Sequence, residues 1–66
     1  MKVNAKKILE LMGGELMTQQ RLAETAEVSR ATINSTLLKG SCSTATLGKI
    51  ATALKVNPKD IIRKED

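Results

Sequence analysis

The stretch TQQRLAETAEVSRATIN, from Thr18 to Asn34, decides the fold of this 66-residue chain. Thr18 is a good helix N-cap, because a hydroxyl at that position accepts from a backbone N–H with no partner inside the helix. Behind it Leu22, Ala23 and Ala26 fall on one helical face. A short helix is therefore predicted over about Gln19 to Ala26. Glu27-Val28 makes a tight connection, and Ser29 caps the next helix. In that helix Ile33 and Leu37 stand four apart and point inward.

Each of these helices has about two turns, and the connection is too short for them to lie antiparallel. They cross steeply, with Ala23 at the crossing because a larger side chain would hold the axes apart. Val28 plugs the connection from inside, and Ile33 packs beneath the preceding helix. This is helix-turn-helix geometry, in which the later helix can enter a DNA major groove.

Working outward, helical spacing continues in both directions and no segment alternates strictly as a half-buried strand would. Upstream, Val3, Ile8, Leu11 and Met12 share one side of a first helix that Gly13-Gly14 ends. Met17 precedes the Thr18 cap and closes onto the turn that holds Leu22. Met12 and Met17 are core filler. Downstream, Lys39-Gly40-Ser41 stops the third helix, and the polar run Ser41 to Thr46 is a loop that becomes the start of a fourth. Leu47, Ile50, Ala51 and Leu54 form its apolar stripe. Asn57-Pro58-Lys59-Asp60 opens a short fifth helix with an Asn cap, proline in the first position and an acid near the dipole. Ile61 and Ile62 are its apolar part, and Arg63 to Asp66 is a frayed charged tail. The expected architecture is all-α, five helices in one domain over residues 1–66.

Composition narrows the function. The single cysteine, Cys42, excludes an internal disulfide, and without histidine no metal site or other cofactor is indicated. Cys42 reads as a small neutral loop residue. The apolar 41% is aliphatic throughout, with no Phe, Trp or Tyr. Base-stacking platforms for single-stranded nucleic acid or RNA are thus absent. Eleven Lys and Arg against seven Asp and Glu give +4, an excess that suits a polyanion or simply a mildly basic solvated surface. No run approaches the roughly 20 apolar residues of a membrane span. Lys2, Lys6 and Lys7 flank too short an apolar run for an export signal. A cytoplasmic protein is expected by elimination. Neither a phosphate loop nor a cluster of acid–base groups suggests an enzyme.

Gln19, Leu22, Ala23, Val28, Ser29, Arg30, Thr32 and Ile33 match one block of a known pattern. Thr46-Leu47, Lys49-Ile50-Ala51, Ala53-Leu54, Val56-Asn57-Pro58 and Asp60-Ile61-Ile62 match a second block in register with it. On these residues the chain resembles the lambda-repressor and Cro-like helix-turn-helix proteins over about residues 16–62. The chain departs from that pattern in three ways. Glu27 stands where the family usually has glycine in a left-handed conformation, at a cost of about 1 kcal/mol. Leu37-Leu38-Lys39-Gly40 replaces Glu-Asn-Gly. Cys42 and Thr44 replace a proline and an aliphatic.

The third helix is expected to expose Arg30, Ala31, Asn34 and Ser35 as base readers. Arg30 can bind guanine O6 and N7 bidentately, or else only phosphate or Glu27. Asn34 can bind adenine or merely cover the helix surface. Ala31 and Thr32 could touch a thymine methyl. The duplex backbone falls to Gln19, Ser29, Thr32, Lys39, Ser41 and Ser43; the resemblance implies that Gln19 also buttresses Arg30. Lys2, Lys6, Lys7 and Lys49 add long-range attraction. The resemblance implies a transcriptional regulator on double-stranded DNA, a repressor acting as a homodimer on a palindromic operator. Its dimer surface is expected in residues 55–66 or in the loop from Lys39 to Ser43. The competing reading is an antitoxin-like or adaptor module that uses the same fold to bind a protein partner, with apolar Leu37-Leu38 and Ile61-Ile62 as candidate contact surfaces or else core residues.

Overall fold

The computed structural model describes residues 1–63. Its order is α1 (Ala5–Gly14), α2 (Gln19–Ala26), α3 (Arg30–Lys39), α4 (Thr44–Leu54) and a single 3₁₀ turn at Pro58–Asp60. Each α-helix starts on a side-chain cap; Thr18 and Ser29 were expected in that role, whereas Asn4 and Ser43 were not. Asn4 Oδ1 accepts from Lys7 N, and the hydroxyls of Thr18, Ser29 and Ser43 accept from Arg21, Thr32 and Thr46 N.

The helices end in a shared way. Leu16, Glu27 and Lys55 all take left-handed backbone, with φ of 53°, 59° and 61°. In each case an apolar residue follows and folds back: Met17 N donates to Met12 O at 2.8 Å, Val28 N to Ala23 O at 3.0 Å, and Val56 N to Ala51 O at 3.0 Å. Met17, Val28 and Val56 all pack against the core. Satisfying the last carbonyls and seating that side chain offsets the left-handed strain of a residue with a Cβ. Glu27 thus adopts the conformation expected of it. Gly13 and Gly14 lie inside α1, and Leu16, 93% exposed, makes the turn that they were expected to make.

Ile8, Met12, Leu22, Ala23, Ala26, Ile33, Leu47, Ile50, Ala51 and Leu54 form one buried cluster between the helices. Ala23, 3% exposed, permits the close approach of α2 and α3. Thr36 is buried on α3; its hydroxyl donates to Thr32 O at 2.8 Å, so no polar atom is stranded. Leu37, expected to be buried, is half-buried against the core.

The two ends of the described chain differ from expectation. Val3 is not on α1. It lies in an extended segment with isolated antiparallel bridges from Lys2 to Ser41 and from Val3 to Ile62. Val3 N donates to Gly40 O at 2.9 Å, Cys42 N to Met1 O at 2.9 Å, Asn4 N to Ile61 O at 2.8 Å and Arg63 N to Lys2 O at 3.1 Å. The expected fifth helix is only the 3₁₀ turn, so the fold has four α-helices among the described residues. Asn57 and Asp60 form a reciprocal capping box, as the sequence suggests. The helix stops because Ile61 O is bonded to Asn4 N and Ile62 pairs with Val3, which commits the backbone to extended geometry. Ile61 is fully buried there. Arg63, expected to fray, is tied to Lys2; the rest of the expected tail, 64–66, lies outside the described residues. Among the described residues no helix is long and apolar enough to cross a membrane.

Candidate nucleic-acid interface

Helix α3 is held from below by Ile33 and Thr36, both buried. The opposite face therefore points outward by helical geometry. Arg30, Ala31 and Asn34 are exposed on it, and Ser35 is half-buried rather than exposed as expected. Arg30 and Asn34 stand four residues apart, one above the other.

Beside this face runs a groove of 440 Å³, lined by Ala31, Thr32, Ser35, Thr36 and Lys39 of α3 and by Ser41, Cys42, Ser43 and Thr46 beyond it. Six of the expected contact residues, Ala31, Thr32, Ser35, Lys39, Ser41 and Ser43, are brought together here. The groove exists because Gly40, at φ 69°, turns the chain sharply after α3. The Lys2–Ser41 bridge then holds the loop in place. Two matching caps shape its hydroxyl-rich lining. Ser29 Oγ and Thr32 Oγ1 are 2.8 Å apart, and Ser43 Oγ donates to Thr46 Oγ1 at 3.0 Å. In both, the serine also accepts from the threonine backbone N–H. These hydroxyls are fixed by their caps and keep residual hydrogen-bonding capacity.

Gln19 and Ser29 lie outside that groove. Gln19 is the half-buried first residue of α2, and among the described residues it shares no hydrogen bond with Arg30, so the implied buttress is not formed. Arg30 makes no ion pair with Glu27 among those residues either. Its guanidinium is thus available to an external ligand.

The surroundings favour an anion. From Val28 to Lys59 the chain carries Arg30, Lys39, Lys49, Lys55 and Lys59 and no Asp or Glu. Arg30 and Lys39 mark the two ends of α3, about 13 Å apart along its axis. Burial pushes the Cys42 thiol above its ordinary value of 9.0, opposed in part by the nearby N-terminal ammonium, so the groove wall is neutral at Cys42. Sequence reasoning did not place Thr36, Cys42 and Thr46 in this lining; Leu38, 79% exposed at the end of α3, lies outside it. The acid-free run from Val28 to Lys59 was the signal available for the surface as a whole.

A larger groove of 590 Å³ involves Glu15, Leu16, Met17, Arg21 and Lys55 and includes no α3 residue. It is open and lacks any cluster of groups suited to acid–base or nucleophilic work.

Comparison with solved structures finds the same fold in the restriction-modification controller protein C.AhdI from Aeromonas hydrophila. The TM-score is 0.78 at 23% identity, over 85% of this chain and 86% of that one. No curated protein sequence matches the chain. The family model for the Cro/C1-type HTH DNA-binding domain matches residues 7–66, which takes in α2, α3, the groove and α4 together. With the helix pair, its exposed α3 face and that match all in one stretch, the chain belongs to the Cro/C1-type helix-turn-helix DNA-binding domain family.

Proposed function

We propose that this chain is a sequence-specific transcription regulator that binds double-stranded DNA with α3 in the major groove. The observation that carries the reading is the outward face of α3. Exposed Arg30, Ala31 and Asn34 and half-buried Ser35 lie on a helix with no carboxylate, beside a hydroxyl-rich groove. Arg30 reads guanine and Asn34 adenine, each through two hydrogen bonds, while Ala31 and Ser35 contact neighbouring base edges. Gln19, Ser29, Thr32, Lys39, Ser41 and Ser43 hold the phosphates and set the register. The fold's likeness to a restriction-modification controller is in keeping with a regulatory role.

One such module spans about half a site, so the active form is a homodimer on an inverted repeat with half-sites about 34 Å apart. The 66 residues act as a single domain, in the cytoplasm. Regulation is by occupancy: the bound dimer excludes polymerase and represses.

Selection of bound duplexes from a random pool, with sedimentation of the complex, tests this directly. The expected result is an inverted repeat carrying two copies of the chain, with affinity falling steeply as salt rises. A flat salt response, or a stoichiometric protein partner captured with no duplex preference, removes the reading in favour of a protein-binding module.

A further inference from the structure

Leu38 exposes 79% of its surface although it belongs to the helix that carries the candidate base readers. Ala31, Asn34, Ser35 and Leu38 follow one another at i, i+3, i+4 and i+7, so the leucine closes the same stripe at its C-terminal end. It lies about 12 Å along the axis from Arg30. That distance matches three to four stacked bases at about 3.4 Å each.

The fold itself makes no use of an apolar group there. In the last turns of α3 the inward positions are held by Thr36, buried, and Leu37, half-buried against the core. Lysine, glutamate or glutamine would serve the helix equally well at position 38. The leucine's setting is polar, with the hydroxyl-lined groove beside α3 and Arg30 and Lys39 at its ends. An apolar partner surface fits that setting poorly, whereas a polyanion fits it well. Within a major groove the apolar feature a base edge offers is the thymine C5-methyl group.

We infer that Leu38 is a specificity-determining residue that packs on the C5-methyl of one thymine in each half of the bound duplex, at the end of α3 far from Arg30. The inference rests on the DNA-reading role given to α3 above.

The test uses the full chain and the duplex selected from a random pool, with each thymine replaced singly by uracil. That change deletes the methyl and nothing else. One thymine per half-site should weaken binding about fourfold when replaced, the worth of one methyl group withdrawn from water. In Leu38→Ala the thymine-to-uracil ratio at that position should fall to about one. Leu9→Ala, at a half-exposed leucine on α1, should leave the fourfold ratio in place. Leu38→Ala keeps a strong helix former at an exposed position, so the fold survives, and thermal melting verifies that. A ratio unchanged in Leu38→Ala overturns the inference. So does a chain that selects a sequence yet shows no uracil sensitivity; in both cases the regulator reading stands. A pool with no preferred sequence removes both. A smaller sedimenting species for Leu38→Ala than for the wild type assigns the leucine to a contact between copies and overturns the inference as well.

Discussion

Replacing Glu27 with glycine isolates the energetic weight of a left-handed helix ending. Glu27 has φ 59° and ψ 42°, and its N–H donates to Ala23 O and Glu24 O, bonds that glycine would keep. The side chain is exposed and makes no hydrogen bond among the described residues. Left-handed backbone costs a residue with a Cβ about 1–2 kcal/mol. Glycine avoids that cost but brings extra freedom to the unfolded chain, an offset of about 0.5–1 kcal/mol. Removing a carboxylate from the C-terminal end of α2 adds about 0.3 kcal/mol through the helix dipole. Glu27→Gly should therefore stabilise the fold by about 1 kcal/mol, a rise of about 4–8 °C in Tm for a domain of this size. Thermal and urea unfolding followed by far-ultraviolet circular dichroism measures it, with the urea slope unchanged. Glu27→Ala is the companion variant: it loses the charge, keeps the Cβ, and should gain at most about 0.3 kcal/mol. A glycine variant that melts at or below the wild type, or an alanine variant that matches it, refutes the strain argument.

Two further outcomes are expected. Arg30→Ala should weaken binding to the selected duplex by about 1–3 kcal/mol and relax preference at one base pair, with a smaller loss on random duplex. Equal losses on both, measured by competition, would reduce Arg30 to a phosphate contact. The Cys42 thiol, raised by burial, should react with a maleimide more slowly in the folded chain than in urea at pH 8, and its rate should go on climbing past pH 9. Because the folded-state value lies above the unfolded one, the associated stability is present below about pH 9 and lost as pH rises through the folded value. Equal rates in folded and unfolded chains would contradict the burial.

The parts of the fold legible in the sequence are those specified within a few residues. Thr18 and Ser29 are caps recognisable from their own side chains, and the apolar spacing behind each sets the inward face of its helix. The outward placement of Arg30, Ala31 and Asn34 follows from the same spacing. What was misread depends on partners distant in sequence. Val3 has the character of a helix-face residue, and only its pairing with Gly40 and Ile62 makes it extended. Ile61 and Ile62 follow a strong helix start, yet the backbone bond to Asn4 ends that helix after one turn. The groove wall at Cys42 and Thr46 depends on the path of the loop after Gly40, which no local pattern encodes. The Leu16 turn was missed for another reason: two glycines nearby drew the prediction away from a leucine that the Met17 contact places.

The bridges from Lys2 to Ser41 and from Val3 to Ile62 also bear on the order in which the molecule assembles. The helix pair α2–α3 and its turn close over short separations and so cost little loop entropy to form. The Val3–Ile62 bridge joins opposite ends of the described chain, so it carries a larger loop-closure cost, and it seats Val3 and Ile61 in the core. It therefore forms after the helix pair. When it and its neighbour at Ser41 open, the loop from Gly40 to Ser43 loses its outer support while Ile33 and Leu22 stay packed. The segments around Val3 and Ile62 thus govern how firmly one wall of the groove is held, while the helix carrying Arg30 keeps its place.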